Sequence, residues 1–99
     1  MRVRLLKPAE RELLDAIDYY NTERPGLGIE FAREARLTIN RIKAHPYVWL
    51  KIDPAFRRCP TERFPYSVLY QIVQQEIVIV AFMHHKRHPE YWRDRISLT

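Results

Sequence analysis

The densest group of chemically able side chains is His84-His85-Lys86-Arg87-His88, followed by Pro89 and then Tyr91-Trp92. Histidine exchanges protons near neutral pH, and a guanidinium offers a fixed fork of donors to phosphate or carboxylate. Cutting RNA without a metal needs a base for the 2′-hydroxyl, a cation for the phosphorane and an acid for the leaving oxygen. Here Arg87 could stabilise charge while His85 or His88 served as acid or base. Tyr91 could stack a nucleobase or move a proton. The plainer alternative is that Tyr91 and Trp92 simply pack the tail onto the sheet. A second basic group, Arg57, Arg58 and Arg63, suits phosphate contact, or equally a solvated sheet edge that discourages pairing between molecules. Strand alternation puts Arg57 and Arg58 on opposite faces, so only one of them can share a surface with Arg63. Together with Lys86 and Arg87, this group supplies the residues expected to contact a nucleic acid or another target.

Other chemistries are narrowed by what the chain lacks. His84 and His88 stand four apart, one helical turn, but Pro89 argues that a helix begins only after them, and no third ligand has suitable spacing. No metal site is expected. Cys59 is the single cysteine, so there is no internal disulfide, no multi-cysteine zinc site and no sequence partner for a nucleophile; a reducing, cytoplasmic setting fits. Two glycines are too few for a glycine-rich phosphate loop, and no cofactor is expected. Seventeen basic against twelve acidic side chains give a net charge of +5, which favours acidic partners. The N-terminal residues return to charge too soon for a signal peptide, and the best apolar run, Ile77 to Met83, is strand-sized.

These residues must be positioned by the elements around them. With 99 residues, the chain has room for a single domain, residues 1–99. Val3 to Leu6 reads as a strand. Pro8 suits the start of a helix, and Glu10 and Glu12 lie near the positive end of its dipole. Ala9, Leu13, Ala16, Ile17 and Tyr20 then mark one buried helical face, ending near Asn21. Thr22 to Gly28 is a turn. A second helix follows, with Phe31, Ala35, Ile39 and Ile42 inward and Arg33, Arg36 and Lys43 on another face. His45-Pro46 stops it.

Tyr47 to Pro54 is expected to be an irregular loop. Beyond it the periodicity changes to two. Phe56 to Cys59 is an edge strand beside Pro60. Tyr66, Val68, Tyr70 and Ile72 alternate with Ser67, Leu69 and Gln71, and so form a strand with one better-buried face. Gln74-Gln75 is a tight turn made of residues that do not favour one. Ile77 to Met83 is a central strand covered on both faces. Pro89 opens a short C-terminal helix carrying Tyr91, Trp92 and Ile96. The expected fold is α+β: a helical hairpin packed on a small, mostly antiparallel four-stranded sheet.

This order of elements resembles the RelE/ParE toxins, also called plasmid-stabilisation proteins. Three stretches carry the likeness. The first is the hairpin, with Tyr19-Tyr20 closing one helix and Gly28, Phe31 and Ala32 opening the next. The second is Arg63-Phe64-Pro65-Tyr66 with Val68 and Tyr70. The third runs from His84 to Trp92, and together they span nearly the whole chain. The resemblance implies the toxin of a type II toxin–antitoxin pair, growth-inhibiting and neutralised by an antitoxin with an acidic amphipathic segment. It also implies that Arg33, Arg36 and Lys43 meet that antitoxin.

Some relatives cleave messenger RNA on the ribosome and others block DNA gyrase, so the resemblance leaves enzymatic activity open. The messenger-cleaving relatives typically carry several lysines around their cleft. Here Lys51 and Lys86 are the only lysines in the second half of the chain. The segment from Arg87 through Pro89 to Trp92 also looks more like the ParE branch. A gyrase-directed toxin is therefore placed first and a ribosome-dependent endoribonuclease second. A non-toxic basic module that binds nucleic acid or protein is the third reading.

Overall fold

A computed structural model describes residues 1–95. Strand β1 (Arg2–Leu5) leads into helix α1 (Lys7–Glu23), which has Pro8 in its first turn, and helix α2 (Leu27–Ala44) returns alongside it. Four more strands follow: β2 (Leu50–Lys51), β3 (Arg57–Pro60), β4 (Tyr66–Val73) and β5 (Glu76–His84). They form one sheet in the order β1-β5-β4-β3-β2, in which only β1 and β5 run parallel.

The hairpin closes through its two glycines, for different reasons. Gly26 takes φ +92°, a conformation costly for any side chain. Gly28 lies inside α2, where a Cβ would come 2.3 Å from the Ile17 carbonyl oxygen. Its N–H donates to Asn21 Oδ1 at 2.8 Å, which ties the two helices together there.

The helices bury their apolar stripes on one sheet face. Ala9, Ala35 and Ile42 pack there against Val68, Tyr70, Ile77, Ile79 and Phe82. At the hairpin's turn end, Phe31, Phe64 and Ala16 form a cluster flanked by Tyr20 and Tyr66. The opposite face is covered by the tail: Trp92, fully buried, sits with Phe56, Leu69, Val80, Ala81 and Met83.

Three expectations need correction. The segment read as an edge strand beside Pro60 is interior, because β3 pairs with β4 on one side and β2 on the other. The sheet has five strands, because Leu50–Lys51, within the segment read as a loop, pairs with Arg58 and Arg57. Two residues are too short a stretch to show a period. The tail after Pro89 forms turns and then a single 3-10 turn, Arg93–Arg95, instead of an α-helix. Trp92 donates its indole N–H to the Pro89 carbonyl at 2.8 Å, which closes a local turn. Ile96 lies outside the described residues.

Strand β5 contains the irregularity that matters most. Leu69 pairs with Ala81 but Tyr70 pairs with Ile79, so Val80 is an extra residue, a β-bulge. Side chains alternate across a strand, and one added residue reverses the alternation beyond it. Ile77 and Ile79 face the helices, Val80 and Ala81 both face the tail, and Phe82 turns back to the helices. His84, in phase with Phe82, thereby reaches the α1 side.

Candidate functional site

The bulge sends the segment after β5 over the end of α1. There Glu12, Asp15, Ala16 and Tyr19 of α1, with Tyr66, Phe82, His84 and Arg87, line a cleft of about 410 Å³. Its floor is aromatic, and the His84 ring stands edge-on to Tyr66 at 5.0 Å. Arg87 is exposed at this cleft, its guanidinium 4.0 Å from the centroid of the Tyr91 ring. Among the described residues no carboxylate forms an ion pair with it.

Tyr91 is not mobile furniture. Its hydroxyl donates to Glu12 Oε2 at 2.6 Å, and Arg95 grips the same carboxylate with both terminal nitrogens at 2.9 Å. Burial, followed by the adjacent Glu12 carboxylate, pushes the Tyr91 phenol far above its ordinary range. The phenol therefore stays protonated, a hydrogen-bond donor and not a base.

His85 leaves the cleft for a separate group. Its Nε2 lies 2.9 Å from Ser67 Oγ, and Arg58 Nε donates to the same oxygen at 3.0 Å. Desolvation first, then the Arg58 charge, lower its pKa and favour the neutral imidazole. His88 is turned to local work: its Nδ1 accepts the Glu90 N–H at 3.2 Å. Lys86 is exposed beside them, and its backbone N–H donates to His84 Nδ1 at 3.0 Å.

The three arginines Arg57, Arg58 and Arg63 are dispersed. The β3 register sets Arg57 opposite Tyr70 and Arg58 opposite Leu69, hence on different faces. Arg57 Nη1 donates to the carbonyls of Tyr47 and Trp49 at 2.8 and 2.9 Å and so braces the loop after α2. Arg63 pairs with Glu30 of α2 at 2.6 Å, while its N–H donates to the buried Glu34 carboxylate. The Arg63 contact holds the Glu30 carboxyl below its usual range. Arg58 alone joins a histidine of the tail, through Ser67.

Arg33 and Arg36 are exposed on α2, where with Ile29 and Ala32 they line a shallow groove; Lys43 is exposed in the last turn. Among the described residues no three histidine, cysteine, aspartate or glutamate side chains gather as a metal site would require, and no helix is long and apolar enough to cross a membrane. Cys59 is buried, and desolvation raises its thiol pKa.

Glu12, Ser67, Tyr66 and Tyr19 were missed as site residues. For Glu12 a signal existed. It falls within the apolar stripe Ala9-Leu13-Ala16-Tyr20, and a carboxylate on a buried face demands donors. Its donors lie seventy or more residues along the chain, beyond the reach of local pattern.

Comparison with known proteins agrees with this architecture. A family model described as the ParE toxin of type II toxin–antitoxin system, parDE, matches residues 3–89. Among solved structures, a chain described as the chromosomal ParDE TA system from P. aeruginosa has a TM-score of 0.69 and 19% identity, covering 85% of this chain and 95% of that chain. At that identity the structural likeness speaks for the fold. A search of curated proteins gives no match. Since the family model takes in both helices and all five strands and reaches Pro89, the chain belongs to the ParE toxin family of type II toxin–antitoxin systems.

Proposed function

We propose that this protein arrests growth by binding DNA gyrase, and that a cognate antitoxin with an acidic amphipathic segment holds it inactive. The observation that carries the reading is the ParE family match over residues 3–89. The geometry supports binding over bond cleavage. The Tyr91 phenol is committed to Glu12, His85 is tied to Ser67, and Arg57 and Arg63 are engaged elsewhere. The histidines expected to act as acid and base beside Arg87 are engaged elsewhere, His85 with Ser67 and His88 with the Glu90 N–H, so they do not supply the proton transfers that strand scission would need. Arg87 and Lys86 instead offer exposed cations to a partner surface. The exposed face of α2, with Ile29 and Leu37 among Arg33 and Arg36, suits an acidic amphipathic segment. Both the target and the antidote place the protein in the cytoplasm.

The test is expression of the protein alone in bacteria, followed by mapping of messenger ends and a supercoiling assay with purified gyrase. Arrested growth, intact messages and blocked supercoiling are expected. New cuts in translated messages would transfer the assignment to a ribosome-dependent endoribonuclease. Unimpaired growth with folded protein would leave a non-toxic interaction module.

A further inference from the structure

Strand β1 ends before β5 does. The last hydrogen bond between them runs from the Leu6 N–H to the Ile79 carbonyl, and the chain then turns into α1. The rest of β5 on that side has lost its neighbour, and unpaired backbone groups in a half-buried edge are costly. Two side chains replace the missing strand. Glu12 Oε1 accepts the Phe82 N–H at 3.1 Å, and Arg95 Nη1 donates to the Val80 carbonyl at 2.9 Å. These same two side chains form the ion pair described above, each only about one-sixth exposed. One carboxylate thus takes four hydrogen bonds: from β5, from the Tyr91 hydroxyl and two from Arg95.

The consequence reaches Arg87. Two guanidinium groups lie against the Tyr91 ring, that of Arg87 at 4.0 Å and that of Arg95 at 5.0 Å from its centroid. The Glu12 carboxylate, bonded to both the Tyr91 hydroxyl and Arg95, holds this ring and its cations in one assembly. The ring can pivot about its side-chain torsions, and its hydroxyl bond to Glu12 stops it. Among the described residues Arg87 has no carboxylate of its own, so the ring and the backbone bond from its N–H to the His84 carbonyl determine where its guanidinium points.

We propose that Glu12 is a positioning residue: through the Tyr91 ring it fixes the direction of Arg87 and so preorganises the cation that meets the target. A cation held in its bound direction loses less freedom on association. The target half of this statement rests on the reading of Arg87 as a binding residue; the positioning half does not.

The experiment has two arms, run on the whole protein with Glu12→Gln, Tyr91→Phe, Arg87→Ala and the double variant Glu12→Gln/Arg87→Ala. In the first, nitrogen-15 relaxation of the Arg87 side chain is measured by NMR. An ordered Nε–H in the parent and a disordered one in both Glu12→Gln and Tyr91→Phe are expected. Tyr91→Phe keeps the ring and loses only its tether, so it decides the matter even if Glu12→Gln folds poorly. An Arg87 equally ordered in parent and variants overturns the proposal. In the second arm, inhibition of gyrase supercoiling should weaken roughly tenfold in Glu12→Gln, as misplaced contacts do, with no further loss when Arg87 is already alanine. Independent, additive losses would also overturn it. A parent that does not inhibit gyrase sinks the target reading alone, because the relaxation arm still decides whether Glu12 positions Arg87.

Discussion

The two faces of the sheet are closed by different physics. On one, two helices of seventeen and eighteen residues lay apolar stripes over the strands, and the Phe31 ring meets Phe64 and Tyr66 at centroid distances of 5.0 and 4.9 Å. On the other, a short tail whose described residues form turns and one 3-10 turn covers the strands with one large side chain, Trp92, and is pinned by charge. Arg95 grips Glu12, and two residues earlier Arg93 pairs with Asp53 at 2.7 Å. A long amphipathic element gains enough from burial to hold itself down. A tail of about ten residues does not, and needs directional contacts at fixed points. The hairpin face, whose Arg63–Glu30 pair is a side contribution, should therefore respond less to salt and acid than the tail face.

Truncating the central aromatic on each face puts the largest strain on this contrast. Phe31→Ala and Trp92→Ala should each cost about 3–5 kcal/mol, the usual range for a buried aromatic. The manner of loss should differ. Phe31→Ala should lower the global unfolding midpoint with hydrogen-exchange protection falling everywhere together. Trp92→Ala should first release protection in residues 89–95 and at Val80 and Met83. Identical protection patterns in the two variants would dissolve the distinction.

Acid gives a smaller and more selective effect. The hydrogen bond from Arg93, with two backbone N–H groups from Ala55 and Phe56, holds the Asp53 carboxyl below its ordinary value. A depressed carboxyl pKa means that the unfolded state takes up the proton first. Its stabilisation is full above the unfolded value, near pH 4, and fades as pH falls through the lower folded value. Asp53→Asn should therefore loosen the tail at neutral pH, and the gap from the parent should shrink in that acidic window. Exchange of the 89–95 amides as a function of pH measures it; a gap that does not depend on pH would mean the ion pair contributes nothing.

The smallest effect tests a place outside both faces. Gln74 and Gln75 take φ +50° and +65°, the two left-handed positions of a tight hairpin turn between β4 and β5. Gln75→Gly should relieve that strain and raise stability by roughly 0.5–1 kcal/mol in a denaturant titration, with neither face altered. A loss of stability would show that the turn is held by contacts of the glutamine side chain.

Some of this was legible in the residues. Ala9 and Ala16, then Phe31, Ala35 and Ile42, announced two helices and their inner faces, and all five are buried. The alternation from Tyr66 to Ile72 announced β4 and its helix-facing side. The tight turn at Gln74-Gln75 was placed by the strands around it, against the preference of its own residues. The Leu50–Lys51 strand was not legible, because two residues carry no period. The arrangement of the basic side chains was legible only in part. Arg57 and Arg58 had to diverge, but nothing local told that Arg63 would pair with Glu30.

The sequence alone determined the succession of elements, the apolar stripes and the absence of a glycine-rich phosphate loop. Those properties follow from short-range periodicity and composition, which every window of the chain displays. Only the tertiary structure decided which face each tail residue reaches. One unpaired residue, Val80, reverses the side-chain alternation of β5 and sends His84 to the α1 side, while Glu12 finds donors from Phe82 to Arg95. A bulge leaves no local signature in an apolar run, and a carboxylate's distant partners leave none at all.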